Sequence, residues 1–379
     1  MRLGLVARAD KTGLGAQTWT FWRNMRPDAT LVVDLSHCSG QQPDLALYDR
    51  GDVEVWKDRN YPSTAPVPDK VVERFLSKVD VVFGAETFYN YWLINRARQL
   101  GVRTVLQPNY EFLDYLLDRK LPEPDVLAFP STWHLDDVRR AMPRSDVRHL
   151  PVPVDAKLLP FRQRLELNTI LHTAGTPAME DRNGTMVLIE AMRQVRTPVT
   201  AVIRTLKPLP IRARHLPTNV IIDDRPAPNY WDLYDRGDML VIPRKFGGLC
   251  LPQQEALACG MPVLMTDVAP QNEVLPADLL VPAIKSHEVM TRAMIDIHQT
   301  DPVVLASRID WLHEHPDRFA ELSAWAGEWA ADNSWEALRP LYEATLTGRW
   351  PEGRAVDDVP TAEGRRGGTV PTVRRVSVR

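Results

Sequence analysis

Arg244-Lys245-Phe246-Gly247-Gly248-Leu249-Cys250-Leu251-Pro252-Gln253-Gln254-Glu255-Ala256-Leu257-Ala258-Cys259-Gly260-Met261-Pro262-Val263 runs from a glycine pair into a helix and out into a strand. The apolar run Met239–Ile242 before it is a strand candidate. Pro252 suits the first turn of a helix, where the N–H it lacks would have no partner in any case. Cys259-Gly260 suits the other end, because glycine takes the left-handed cap without strain. Pro262–Met265 then reads as a buried strand. The backbone N–H groups of Gly248, Leu249, Cys250 and Leu251 converge at the helix start, where the helix dipole favours an anionic diphosphate. Glu255, one turn in, can accept two hydrogen bonds from a ribose diol. Its plainer role is to favour the helix dipole.

The same alternation extends in both directions. Toward the N-terminus the strand candidates are Leu3–Ala7, Thr30–Leu35, Val53–Trp56, Val79–Phe83, Thr104–Gln107, Val126–Phe129 and His149–Val152. The second series is Thr169–Thr173, Thr200–Arg204, Val220–Asp223, Met239–Ile242, Pro262–Met265 and Leu279–Val281. Continuous apolar strands separated by helical stretches imply parallel sheets covered on both faces. Two series imply an α/β protein of two doubly wound, Rossmann-like domains. Pro151-Val152-Pro153-Val154-Asp155 is a stiff segment suited to joining them. The expected organisation is a first domain over 1–152, a second over 153–330, a helix over 331–349 and a disordered tail over 350–379. Beyond residue 285 the pattern reads as helical to about Thr347, with Trp311, Phe319, Leu322, Trp325, Trp329, Trp335 and Tyr342 as core-facing residues. The tail has five arginines and no acid after Glu363, either a solvated end or an anchor for an anionic partner.

Charge and cysteine content narrow the classes. The net charge is −3, and residues 1–150 carry 20 basic and 20 acidic side chains. Neither half is a basic body of the kind that binds duplex DNA by bulk charge. Cys38, Cys250 and Cys259 form no CxxC pair, which excludes a cysteine-rich zinc module and fits a reducing compartment. The histidines show no HxxxH or HExxH spacing, so no metal site is expected. With no run long enough to span a membrane, the expectation is a cytoplasmic protein.

The stretch 244–263 resembles the signature of retaining GT-B glycosyltransferases, especially family four, which runs roughly E-G-F-G-L-P-x-x-E-A-x-A-x-G-x-P-V. Gly248, Leu251, Pro252, Glu255, Ala256, Ala258, Gly260, Pro262 and Val263 match it. The resemblance implies two domains facing a central cleft, with C-terminal helices crossing back to the first, and a nucleoside-diphosphate sugar as donor. It gives Glu255 the ribose. The first glutamate of the family's E-x7-E pair, which contacts the donor sugar, falls on Gly247. Leu150-Pro151-Val152-Pro153-Val154-Asp155 resembles the family's entry to the second domain, and Asn333-Ser334-Trp335-Glu336 the "sW" of its returning helix.

Three further segments belong to this reading. Arg8-Ala9-Asp10-Lys11-Thr12-Gly13-Leu14-Gly15, after the first strand, is similar to the family's loop over the donor phosphates, with Gly13 and Gly15 as the residues that approach a ligand. His172-Thr173-Ala174-Gly175-Thr176 and Asp181-Arg182-Asn183-Gly184 resemble the segment whose two cations neutralise the diphosphate. Arg182 falls on one cation, Thr176 on the other, and Arg204 is a candidate to supply the lost charge. Gly175 and Asn183 join the donor set. Gln107-Pro108-Asn109-Tyr110-Glu111 stands where many members place a histidine. Asn109 and Glu111 are candidate catalytic residues beside Arg182 and Glu255; the plainer reading of Glu111 is a surface-loop carboxylate. The expected acceptor face holds Asp10, Lys11, Trp19, Tyr89 and Tyr110. The acceptor class stays open among a glycan, a small molecule, a protein and a modified DNA base. The rival reading from another class is a non-catalytic sugar-nucleotide scaffold, motivated by the departures at Gly247 and Thr176. No bound cofactor is expected.

Overall fold

The computed structural model describes residues 1–10, 12–36, 43–57, 67–118, 120–175, 180–205, 209, 211–225, 227 and 229–350. Lys11, Cys38, Thr176 and the tail from residue 351 lie outside them. The first domain is built on a seven-stranded sheet of β1 (Leu3–Ala7), β2 (Ala29–Asp34), β3 (Asp52–Lys57), β4 (Val81–Ala85), β5 (Arg103–Gln107), β6 (Val126–Phe129) and β7 (Asp146–His149). Their spatial order is β3-β2-β1-β4-β5-β6-β7, all parallel. Helices α1 (Gly13–Met25), α2 (Asp69–Leu76), α3 (Trp92–Leu100) and α4 (Leu135–Ala141) connect them. β1, β2, β4 and β6 are buried along their whole length, which is why they read as unbroken apolar runs rather than alternating ones.

The second domain repeats the plan. β8 (Thr169–Gly175), β9 (Thr200–Thr205), β10 (Val220–Asp223), β11 (Met239–Ile242), β12 (Val263–Thr266) and β13 (Leu280–Val281) form a parallel sheet ordered β10-β9-β8-β11-β12-β13. Helices α5 (Thr185–Met192), α6 (Leu251–Ala258), α7 (Pro302–Glu314) and α8 (Pro316–Asp332) cover it. Each sheet reverses its winding once, at β1/β4 and at β8/β11. The loops leaving the strand ends at such a reversal form the ligand crevice of an open α/β sheet. Here the two crevices face each other, and their loops touch.

Two expectations need correction. The last strand of the first domain is Asp146–His149, not His149–Val152. Pro151 and Pro153 have no N–H to give a ladder, so pairing stops once Leu150 N has reached Phe129 O at 2.7 Å. Residues after 283 are not helical at first. Ala283–Met290 (β14) and Met294–Thr300 (β15) form an antiparallel hairpin, and helix resumes only at Pro302. The period there is two: Ile295 and Ile297 are buried while Met294 and Asp296 are exposed.

α9 (Trp335–Thr347) returns to the first domain. Ser334 pairs with Val154, and Trp335 N donates to Val154 O at 3.2 Å. Trp335, Tyr342 and Leu346 complete a core with Phe21 and Phe83, whose rings stack at 4.1 Å. The Tyr342 hydroxyl donates to Pro151 O at 3.2 Å, so the helix is tied to the joining segment as well as to the sheet.

Candidate functional site

The site lies where α6 begins. Cys250 precedes it, Pro252 occupies its first turn, and Gly260 ends it at φ +72°. Of the four N–H groups expected to meet an anion, those of Gly248 and Leu249 meet an anionic and a polar oxygen supplied by the other domain. Gly248 N donates to Glu111 Oε1 at 2.9 Å, and Leu249 N to Asn109 Oδ1 at 3.1 Å. Gly248 leaves the room for this: a Cβ there would lie 3.0 Å from both Glu111 Oε2 and Asn109 Oδ1. Gln271 Nε2 holds the loop from behind, donating to Gly247 O at 2.9 Å, and buried Arg244 braces it through Phe246 O at 3.0 Å.

Arg182 reaches the same place. Its guanidinium donates to Glu111 Oε1 at 2.5 Å and lies 5.2 Å from the Phe246 ring centroid and 5.7 Å from that of Phe112. Burial, with Arg244 nearby, pushes its pKa down to about 10, which leaves it charged at neutral pH. Gly247 stands at φ +114°, a region that favours glycine, and a Cβ there would run into the Arg182 guanidinium. The room that a glutamate at 247 would need is taken by Arg182.

Glu111 is not on the surface. It is fully buried, and among the described residues its Oε2 has no hydrogen-bond partner. Glu86, at the end of β4 with φ +67°, lies in the same cluster. Burial, then the charge of Glu111, pushes its carboxyl up to about 7, against the pull of Arg8 and Arg182. Glu255 lines a small interdomain cavity with Gln17, Thr20 and Asp155. It accepts a hydrogen bond from Tyr234, and burial pushes its pKa up to about 7.

The remaining expected residues divide. Gly13 and Gly15 open α1 beside α6: a Cβ on Gly13 would lie 3.6 Å from Leu251 Cδ1, and one on Gly15 would strike the Asp10 backbone. Asp10 pairs with Arg8 and accepts from Thr12 N at 3.2 Å, so it shapes the loop. Gly175 has φ +62°, and Asn183 Nδ2 donates to Thr173 O at 2.9 Å. Arg204 is not brought to Arg182. Its guanidinium is committed to Asp223 at 2.5 Å, alongside Arg225 and Arg236, so it is no spare cation for the diphosphate. Trp19 is core: 7% exposed, stacked on Trp231 at 5.7 Å, its indole N–H on Leu47 O. Tyr89 is also buried. Tyr110 stacks on His134 at 4.2 Å and packs against the cluster of Phe246, Ile295 and Ile297. His172 is a satisfied core histidine, 2.7 Å from Val241 O and 2.9 Å from Thr185 Oγ1. Among the described residues no cluster of three metal-binding side chains occurs, and no helix is long and apolar enough to cross a membrane.

Tyr234, Gln271 and Arg244 were not singled out from the sequence for the site. Tyr234 and Gln271 carry no local signal; Arg244 stood in the quoted stretch, but its inward turn was not legible.

Two parallel-sheet domains meeting at their crevices, with a helix returning to the first, define the GT-B class. Residues 168–300 match the family model described as glycosyl transferases group 1, so the second domain carries a glycosyltransferase domain. Among curated proteins none matches. The sucrose-phosphate synthase of Thermosynechococcus elongatus is similar over 92% of this chain and 100% of its own, at 16% identity and TM-score 0.65. Anabaena HepE, solved with UDP and glucose, covers the same shares at 14% identity and TM-score 0.63. The apo lipopolysaccharide outer core galactosyltransferase WaaB does so at 12% and 0.58. At such identities these likenesses speak for the fold alone.

Proposed function

We propose that the protein transfers a sugar from a nucleoside-diphosphate sugar, bound chiefly on the second domain, to an acceptor approaching from the first. The observation that carries this reading is the pair of amides at the start of α6, held open toward the facing domain and meeting a carboxylate and an amide oxygen. Oriented N–H groups at a helix start, with a fixed guanidinium beside them, are what a diphosphate needs. The Glu111 carboxylate and the Asn109 oxygen stand in for phosphate oxygens, and the donor displaces them.

As the glycosidic bond breaks, negative charge grows on the leaving diphosphate. Arg182 and the Gly248 and Leu249 amides stabilise it without reorganising. Glu255, ionised, accepts the ribose hydroxyls. Closure of the facing loops keeps water from the donor. The family resemblance supports retention at the anomeric carbon and leaving-group stabilisation without a bound metal. HepE in complex with UDP and glucose supports a nucleotide sugar in this fold.

The test is nucleotide release and thermal shift over UDP-, GDP-, ADP- and TDP-sugars. A true donor at one hundred times its Kd adds about 2.7 kcal/mol of stability. Glu255→Ala should weaken that donor by about tenfold or more. Unchanged transfer kinetics in Glu255→Ala would sink the placement of the nucleotide. Stabilisation by a donor with no turnover over any acceptor would favour the scaffold reading.

A further inference from the structure

The β14–β15 hairpin completes neither sheet, yet it bridges the domains. Its buried Ile295 and Ile297 pack on Phe246, with Tyr110 and Trp133 of the first domain against the same cluster. Near its tip, Arg292 N donates to Glu111 O at 3.1 Å and the Arg292 guanidinium pairs with Asp114 at 2.6 Å. Between the hairpin, the Lys245–Phe246 segment, the loop after β12 and the Trp133–His134 corner lies a groove of ≈ 440 Å³. That size falls among small-molecule sites. The site described above does not use it.

We propose that this groove binds a neutral saccharide chain, and so that the acceptor is a carbohydrate whose non-reacting sugars rest against the hairpin. The inference rests on the transfer reading for the word acceptor; the groove itself does not. Half-buried Trp133 and His134 offer ring surface on one wall, which suits the apolar face of a pyranose. Asp267 and Asp296, both exposed, and His298 bring hydrogen-bonding groups to the others. Ionised carboxylates are pure acceptors, matched to hydroxyl donors. The charges argue against a second nucleotide or any other anion. The Lys245 ammonium is committed to Glu180 O at 2.8 Å and lies 3.9 Å from Asp181. Lys285, the cation next to Asp296, is paired with it at 2.9 Å. Phe246, which lines the groove, is followed directly in the chain by Gly247 and Gly248, the start of the loop that carries the donor amides.

The experiment titrates the whole protein, free of nucleotide, with maltotriose, cellotriose, laminaritriose, mannotriose and chitotriose at millimolar concentration, read by calorimetry and saturation-transfer NMR. At least one should bind. Trp133→Ala and Met294→Arg should each weaken it about tenfold or more. Met294 lines the groove and is 50% exposed, so an arginine there obstructs the groove without disturbing a core. No binding by any trisaccharide, or binding that both variants leave unchanged, overturns the proposal; so does spermidine binding in their place, which would make the ligand a cation. Saccharide binding without any nucleotide-sugar binding would leave the groove standing and sink the transfer reading. The reverse pattern would do the opposite.

Discussion

Arg182 and Glu111 come from different domains and share one buried spot, where each needs the other. Removing the guanidinium leaves a fully buried carboxylate with an uncompensated charge, a change that typically costs about 3–5 kcal/mol. Arg182→Ala should therefore be strongly destabilised in urea unfolding, and adding Glu111→Gln should recover part of the loss. Equal stability of Arg182→Ala and wild type would contradict the pairing. Glu255 makes a second prediction, in pH. Its folded pKa, about 7, lies above its ordinary value of 4.5, so the unfolded chain loses this proton first as pH rises. Whatever burial of the neutral form contributes is present below about pH 4.5 and is lost as pH rises through about 7. Glu255→Gln should melt above wild type at about pH 8, with the difference closing toward about pH 5, while donor binding weakens. Glu255 was legible because its spacing within one helix is local. Its partner Tyr234 is 21 residues upstream and had no such signal. Glu111 was legible as a carboxylate at a strand end, but its burial depends on the other domain.

The loop 244–250 and the hairpin show what a single element adds. Gly247 occupies a backbone region that favours glycine, and a Cβ there meets Arg182. Gly247→Ala should cost about 1–3 kcal/mol by thermal melting and weaken the donor by moving Arg182. A variant with wild-type stability and donor affinity would show that Arg182 is not seated against this loop. The sequence departure at 247 was plain, but not what fills the space. The hairpin was misread because its two strands sit between a buried strand and long helices. Only Met294–Ile297 of β15 alternates, and the cluster that buries Ile295 and Ile297 draws on Phe246, Tyr110 and Trp133, far off in sequence, as well as on the hairpin's own Val289 and Ala293.

At the scale of the molecule, the parallel domains followed from apolar strand runs, and the returning helix from its resemblance to a known signature. How the crevices close was not legible, since no local pattern encodes Gly248 against Glu111 or Trp19 against Trp231. Trp335 anchors α9 in the first domain's core and is 2% exposed. Trp335→Ala should cost about 3–5 kcal/mol in denaturant unfolding, and a loss below about 1 kcal/mol would mean that α9 is not tied to that core. The central claim is that the amides at the start of α6 hold the donor's diphosphate. Its most direct test is a crystal structure with a nucleoside diphosphate bound. The prediction is phosphate oxygens at about 2.9 Å from Gly248 N and Leu249 N, Glu255 on the ribose, and Glu111 and Asn109 displaced. A nucleotide bound elsewhere, with Glu111 and Asn109 still on those amides, would contradict it.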